Sequence, residues 1–124
     1  MLSSSEHDLV TAALASLDCA VIYLFGSFGT PPARPDSNID LVFLASRSVD
    51  PLECFHLANA LPDKLGRHVN LIDLQDSSTV FAKEVLRTGT PLMIAAPPRQ
   101  QDFEMRTLSD YARLNEERRE VLSS

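Results

Sequence analysis

Two short polar motifs, separated by a proline-bearing segment, are the part of this sequence whose residue types and spacing suit chemistry. Gly26 and Ser27 follow an apolar run, and ten residues later the chain continues with Asn38, Ile39 and Asp40. Because side chains alternate between the two faces of a strand, Asn38 and Asp40 project from the same side. A Gly-Ser pair at a strand end offers N–H groups and a hydroxyl to a phosphate. The spacing therefore predicts a phosphate site close to a carboxylate.

The apolar periodicity predicts the elements that must position these residues. Asp50 followed by Pro51 is typical of a helix N-terminus, and Pro62 predicts a kink or an early stop of that helix. The helices are expected at residues 5–17, 50–61, 76–88 and 102–122, and the strands at 19–25, 39–44, 68–74 and 91–96. The order α-β-β-α-β-α-β-α predicts an α/β (α+β) fold, a small mixed β-sheet flanked by helices.

Length, composition and charge limit the classes of function. A chain of 124 residues with 44% hydrophobic residues forms one domain with a sizeable aliphatic core. The net charge of −6 argues against a nucleic-acid partner, because binding to a duplex depends on basic surface that neutralises its phosphates. No apolar run is long enough for a membrane span. Cys19 and Cys54 lack metal-ligand spacing, and both are expected to be reduced thiols of a cytoplasmic protein.

The Gly-Ser motif, the ten-residue spacing and the Asn38-Ile39-Asp40 segment resemble the nucleotidyltransferases related to DNA polymerase beta. Within that superfamily, nearly the whole chain is similar to the minimal nucleotidyltransferase (MNT) domain of MntA-type antitoxins, which pair with HEPN-domain toxins. The resemblance implies a nucleotidyltransferase core over residues 1–98 and a C-terminal helix over residues 99–124 that packs on the core or on a partner. It also implies transfer of AMP from ATP, with Mg²⁺, to a tyrosine of a HEPN RNase toxin, and hence a hetero-oligomer.

The site residues implied by this resemblance include two departures from the family pattern. Gly26 and Ser27 would hold phosphate, and Asp40 would be the surviving metal ligand. Asn38 and Asn70 occupy the positions of the other two catalytic aspartates. Mg²⁺ prefers anionic oxygen ligands, and the formal charge at the three positions falls from three carboxylates to one. This loss predicts impaired metal-dependent catalysis.

Asp73 is a fallback metal ligand that could compensate for Asn70. The segment Val69-Asn-Leu-Ile-Asp-Leu resembles a family motif whose first acid is the usual third ligand. Asn70 and Asp73 are an odd number of residues apart, so a regular strand sends them to opposite faces unless a bulge intervenes. A further departure is Pro31, which has no N–H to offer at a position where relatives usually have glycine.

Three functions remain open from the sequence. The first is an antitoxin that neutralises a HEPN toxin, by AMP transfer or by direct binding. The second is an active small nucleotidyltransferase that modifies another protein or a small molecule, and the third is a catalytically dead nucleotide-binding sensor. The C-terminal helix bears on this choice through four residues at helical spacing that either meet a partner or pack on the protein itself: Leu108, Tyr111, Leu114 and Arg118.

Overall fold

The predicted strands form one four-stranded sheet in the computed structural model, which describes residues 3–25, 39–66 and 68–123, with side chains up to residue 118. The strands are β1 (Cys19–Phe25), β2 (Ile39–Ala45), β3 (Val69–Asp73) and β4 (Thr90–Ile94). Their order across the sheet is β3-β2-β1-β4. β1 is antiparallel to β2 and to β4, whereas β2 and β3 are parallel. The predicted mixed sheet is confirmed.

Helices cover both faces of this sheet. They are α1 (Ser4–Ala13), α2 (Pro51–Leu65), α3 (Thr79–Thr88) and α4 (Pro97–Ser123). α1 and α2 lie on one face, and α3 and α4 lie on the other. The predicted element order is confirmed. Within the described ranges, no helix has both the length and the apolarity to cross a membrane.

Side-chain alternation along the strands divides the core into two layers. On β2, Leu41 and Phe43 are fully buried against α1 and α2. Their neighbours Val42 and Leu44 are fully buried on the side of α3 and α4. A strand buried on both faces forms a continuous apolar run, which explains why these segments show no polar alternation.

Capping side chains determine where three of the helices begin. Ser3 and Glu6 form a reciprocal capping box at α1, slightly earlier than the sequence predicts. The Asp50 carboxylate accepts the Leu52 N–H at 2.8 Å, and this confirms the predicted cap of α2. At α3 the cap is Ser78, because residues 74–76 form a separate 3-10 turn instead of the predicted first helical turn.

Prolines explain two differences from the predicted boundaries. α2 continues past Pro62 to Leu65 and is closed by Gly66 at a positive φ of 67°, so the predicted early stop is wrong. Pro97 and Pro98 open α4, so this helix begins before the predicted residue 102. The first helical turn has no intrahelical use for its N–H groups, so proline fits there without loss of a hydrogen bond.

Candidate active site

Asp40 and Asn70 lie side by side on the face of the sheet that α3 and α4 cover. The parallel register of β2 and β3 makes them partners across the two strands. The Asn70 Nδ2 group donates a hydrogen bond to Asp40 Oδ1 over 2.8 Å. A carboxylate only accepts hydrogen bonds, so the amide must turn its N–H toward Asp40 and its oxygen away. Asp40 is half-buried and Asn70 is exposed, so solvent and ligands reach the pair.

Three of the predicted site residues, Gly26, Ser27 and Asn38, lie outside the described residues, as does Pro31. Their described neighbours are next to Asp40. Phe25 is the partner of Asp40 across β1 and β2, and Ile39 precedes it on β2. The phosphate-binding roles of Gly26 and Ser27 and the ligand position of Asn38 therefore stay predictions.

The structure does not bring Asp73 together with Asp40 and Asn70. Asp73 is the partner of Phe43, a residue of the layer under α1 and α2, and it follows Asn70 by an odd number of residues. Its carboxylate accepts the Gln75 N–H at 3.0 Å and caps the 3-10 turn. Burial raises the pKa of the Asp73 carboxyl. The hydrogen bond from the Gln75 N–H lowers this pKa and the nearby negative charge of Asp76 raises it, and the net effect is an increase. Asp73 is thus a structural cap on the other side of the sheet.

Two aromatic rings form an apolar wall beside the pair. The rings of Phe25 and Phe81 meet edge to face, with centroids 5.4 Å apart and planes at 75°. Both line the same groove as Asp40, Asn70 and Ile72. Phe25 could have been found from the sequence, because it directly precedes Gly26 of the predicted phosphate site. The approach of Phe81 depends on how α3 packs, and no local pattern predicts it.

The described donors do not fit a Mg²⁺ site. Asp40 supplies one carboxylate, and the amide beside it presents an N–H group, which repels a cation. In residues 3–25, 39–66 and 68–123, no three histidine, cysteine, aspartate or glutamate side chains are grouped to hold a metal ion. Hard divalent cations require several anionic oxygens. The pair suits hydrogen bonding to a ligand better than metal chelation.

Comparisons with known proteins identify the family to which this geometry belongs. Residues 10–97 match the sequence profile of the family described as polymerase beta, nucleotidyltransferase. The chain belongs to this family. A nucleotidyltransferase relative, the protein adenylyltransferase MntA of Shewanella oneidensis, is 34% identical over 105 residues, which are 82% of this chain and 73% of that protein. The predicted family and its fold are confirmed.

Solved structures of toxin–antitoxin complexes contain nucleotidyltransferase chains of the same shape. The structure of a toxin–antitoxin with AMP-PNP matches with a TM-score of 0.81 at 28% identity, over 94% of this chain and 95% of that one. The structure of tri-AMPylated Shewanella oneidensis HEPN toxin in complex with MNT antitoxin matches with a TM-score of 0.77 at 28% identity, over 95% and 93% of the two chains. Nearly the whole length of this chain thus has a counterpart in those complexes.

Proposed function

We propose that this chain is the antitoxin of a toxin–antitoxin pair and that its partner is a HEPN-domain toxin. The observation that carries the proposal is the similarity to MntA over most of the chain, together with the match to complexes of an MNT antitoxin with a HEPN toxin. The two proteins would form a hetero-oligomer in the cytoplasm. In this assembly residues 1–98 would be the nucleotidyltransferase core, and residues 99–124 would be a helix added to it.

The nucleotide in this proposal is ATP, because a relative is a protein adenylyltransferase and a related complex contains AMP-PNP. Gly26 and Ser27 hold the phosphates, and Asp40 faces the reacting groups. Asp40 attracts cations, but Asn38 and Asn70 are neutral, so Mg²⁺ binds weakly. The chain consequently neutralises its toxin mainly by direct binding, and AMP transfer is slow or absent.

The test uses the chain with a HEPN-domain protein encoded beside it, co-expressed and purified as a complex. We expect a stable complex that blocks RNA cleavage by the partner, with little added AMP after incubation with Mg²⁺ and ATP, as measured by intact mass. Asp40→Asn is the matched variant: it should still form the complex and should remove any residual AMP transfer. The absence of a complex and of any protection from the toxin would contradict the proposed partner.

A further inference from the structure

The outer edge of β3 carries peptide groups that no neighbouring strand uses in the part of the chain that the structure describes. β3 is the last strand of the sheet, next to β2 only. The Ile39 N–H donates to His68 O at 2.9 Å. This bond shows which residues of β3 direct their peptide groups toward β2. Because alternate residues of a parallel strand turn their peptide groups to opposite sides, Val69 and Leu71 direct their N–H and C=O groups outward. The Leu71 oxygen has only a weak contact, 3.8 Å long, with the Cys54 thiol.

A groove follows this free edge and opens onto the candidate active site. Four successive residues of β3, 69–72, line it, and consecutive strand residues share a cavity only if the cavity lies along the edge. Ala58 of α2 forms one wall and Phe81 of α3 forms the other. Asp40 lies in the same groove. We call this feature the edge groove.

The edge groove continues past the end of β3 into a second, acidic groove. Leu71 and Ile72 line both, and Asp73 and Asp76 line the second one at the start of α2. Together the two grooves form a path along one whole strand and the turn that follows it. A path of this length fits an extended chain of several residues rather than a compact ligand.

The charges that line the two grooves indicate which kind of molecule they bind. Three carboxylates line it, those of Asp40, Asp73 and Asp76, and none of the described lining residues is a lysine or an arginine. A nucleotide phosphate would meet only like charge here, whereas a lysine- or arginine-bearing segment would meet opposite charge. One helical turn before Ala58, Phe55 is 60% exposed and offers apolar contact beside the groove.

We propose that the outer edge of β3 binds an extended, basic segment of the partner protein as an added β-strand. The proposal rests on the proposed function, since it assumes a protein partner. Val69 is 4% exposed, whereas Leu71 is half-buried. Backbone hydrogen bonds to Leu71 provide affinity, and the carboxylates select positive charge. Edge addition of this kind needs no rearrangement of the sheet, because the outward peptide groups are already aligned.

The first experiment compares Leu71→Pro with Leu71→Ala. Proline removes the outward N–H without breaking a bond to β2, and alanine removes the same side chain but keeps that N–H. We expect the Kd of Leu71→Pro for the HEPN-domain protein encoded beside this chain to be about tenfold weaker than that of Leu71→Ala. ATP binding should be equal in both variants. Equal affinity of the two folded variants for the partner would overturn the proposal.

The second experiment needs no variant and therefore remains decisive if Leu71→Pro fails to fold. Amide hydrogen exchange of the unmodified chain is measured alone, with ATP, and in the partner complex. We expect exchange of the Leu71 amide to slow by about tenfold or more in the complex and to be unchanged by ATP. A stable complex without slower exchange at this amide would overturn edge binding but leave the proposed function intact. Slower exchange with ATP alone would make the groove a nucleotide site, and failure of the partner to bind would contradict both proposals.

Discussion

At the scale of single residues, the Asp40–Asn70 contact supports the proposed weak binding of Mg²⁺. The amide N–H of Asn70 stands 2.8 Å from a carboxylate oxygen that a metal ion would otherwise use. An N–H donor partly satisfies that carboxylate without adding positive charge. The hydrogen bond holds Asp40 in place, and an amide at residue 70 adds no negative charge that would attract a metal ion.

Restoring both carboxylates should restore metal binding. We expect Asn38→Asp combined with Asn70→Asp to raise both Mg²⁺ affinity and AMP transfer to the partner by at least about tenfold, because two anionic ligands return. Without metal the variant should melt at a lower temperature, since Asp40 and residue 70 then repel each other, and Mg²⁺ should reverse this loss. Thermal melts with and without Mg²⁺, together with intact mass of the partner, measure both effects.

The matched control carries the same two added charges elsewhere, as Asn59→Asp with Asn115→Asp. It should show neither the Mg²⁺-dependent melt nor added AMP. Full AMP transfer by the unmodified chain would contradict the interpretation of Asn38 and Asn70. A double variant that binds Mg²⁺ but transfers no AMP would place a further defect in the segment that contains Pro31.

The half-buried carboxyl of Asp73 predicts a pH-dependent gain in stability on neutralisation. The pKa of Asp73 is raised in the folded protein. Ionisation of this carboxyl therefore lowers the free energy of unfolding at pH values above the ordinary aspartate range. Below that range the carboxyl is protonated in both states, and the loss disappears. Asp73→Asn keeps an oxygen to accept the Gln75 N–H. We expect a higher Tm than that of the unmodified chain near pH 7 and equal Tm values at acidic pH, measured by calorimetry. A lower Tm near pH 7 would show that the ionised carboxylate is needed for the cap.

At the scale of elements, the four residues predicted to form a stripe on α4 differ in their exposure. Tyr111 is half-buried, and the Lys83 ammonium of α3 lies 4.3 Å from the centre of its ring. Leu114 is also half-buried, whereas Leu108 is 48% exposed and Arg118 is exposed. The contact with Lys83 places Tyr111 against the protein's own α3. This arrangement favours packing of the stripe on the protein itself over contact with a partner.

Tyr111 and Leu114 are the inner pair of the stripe, and truncation of both side chains should therefore destabilise the fold. We expect Tyr111→Ala with Leu114→Ala to lower the free energy of unfolding by about 1–3 kcal/mol, because half-buried side chains lose part of the usual core contribution. Affinity of the folded fraction for the partner should be unchanged. Leu108→Ala with Arg118→Ala, on the same helix, should leave the melt unchanged. Thermal melts and calorimetric titration decide, and a normal melt with weakened binding would assign the inner pair to the interface instead.

At the scale of the whole molecule, the net charge of −6 bears on association with the partner. A toxin that cleaves RNA needs basic surface to hold its substrate, so the two proteins would attract each other over the whole interface. We expect Kd for the HEPN-domain partner to weaken by about tenfold between roughly 0.05 and 0.5 M salt, because mobile ions screen this attraction. Titration at the two salt concentrations measures the effect, with melts of each protein as a control for unfolding. Salt-independent affinity would indicate an interface held by apolar contact alone.

The sequence by itself determined the elements, their order and the family. Apolar runs buried on both faces mark β1 and β2, and the Asp50-Pro51 pair marks the start of α2, because both signals depend only on near neighbours in the chain. The Gly-Ser motif and its ten-residue spacing to Asn38 are likewise local, and they were enough to predict a polymerase beta nucleotidyltransferase.

Only the tertiary structure decided which distant residues meet. The register of β2 with β3 makes Asp40 and Asn70 partners and sends Asp73 to the opposite face. In the part of the chain that the structure describes, no strand lies on the outer side of β3, and the packing of α3 brings Phe81 to Phe25. Strand register and helix packing arise from contacts between residues far apart in the chain, so no periodicity within one segment specifies them.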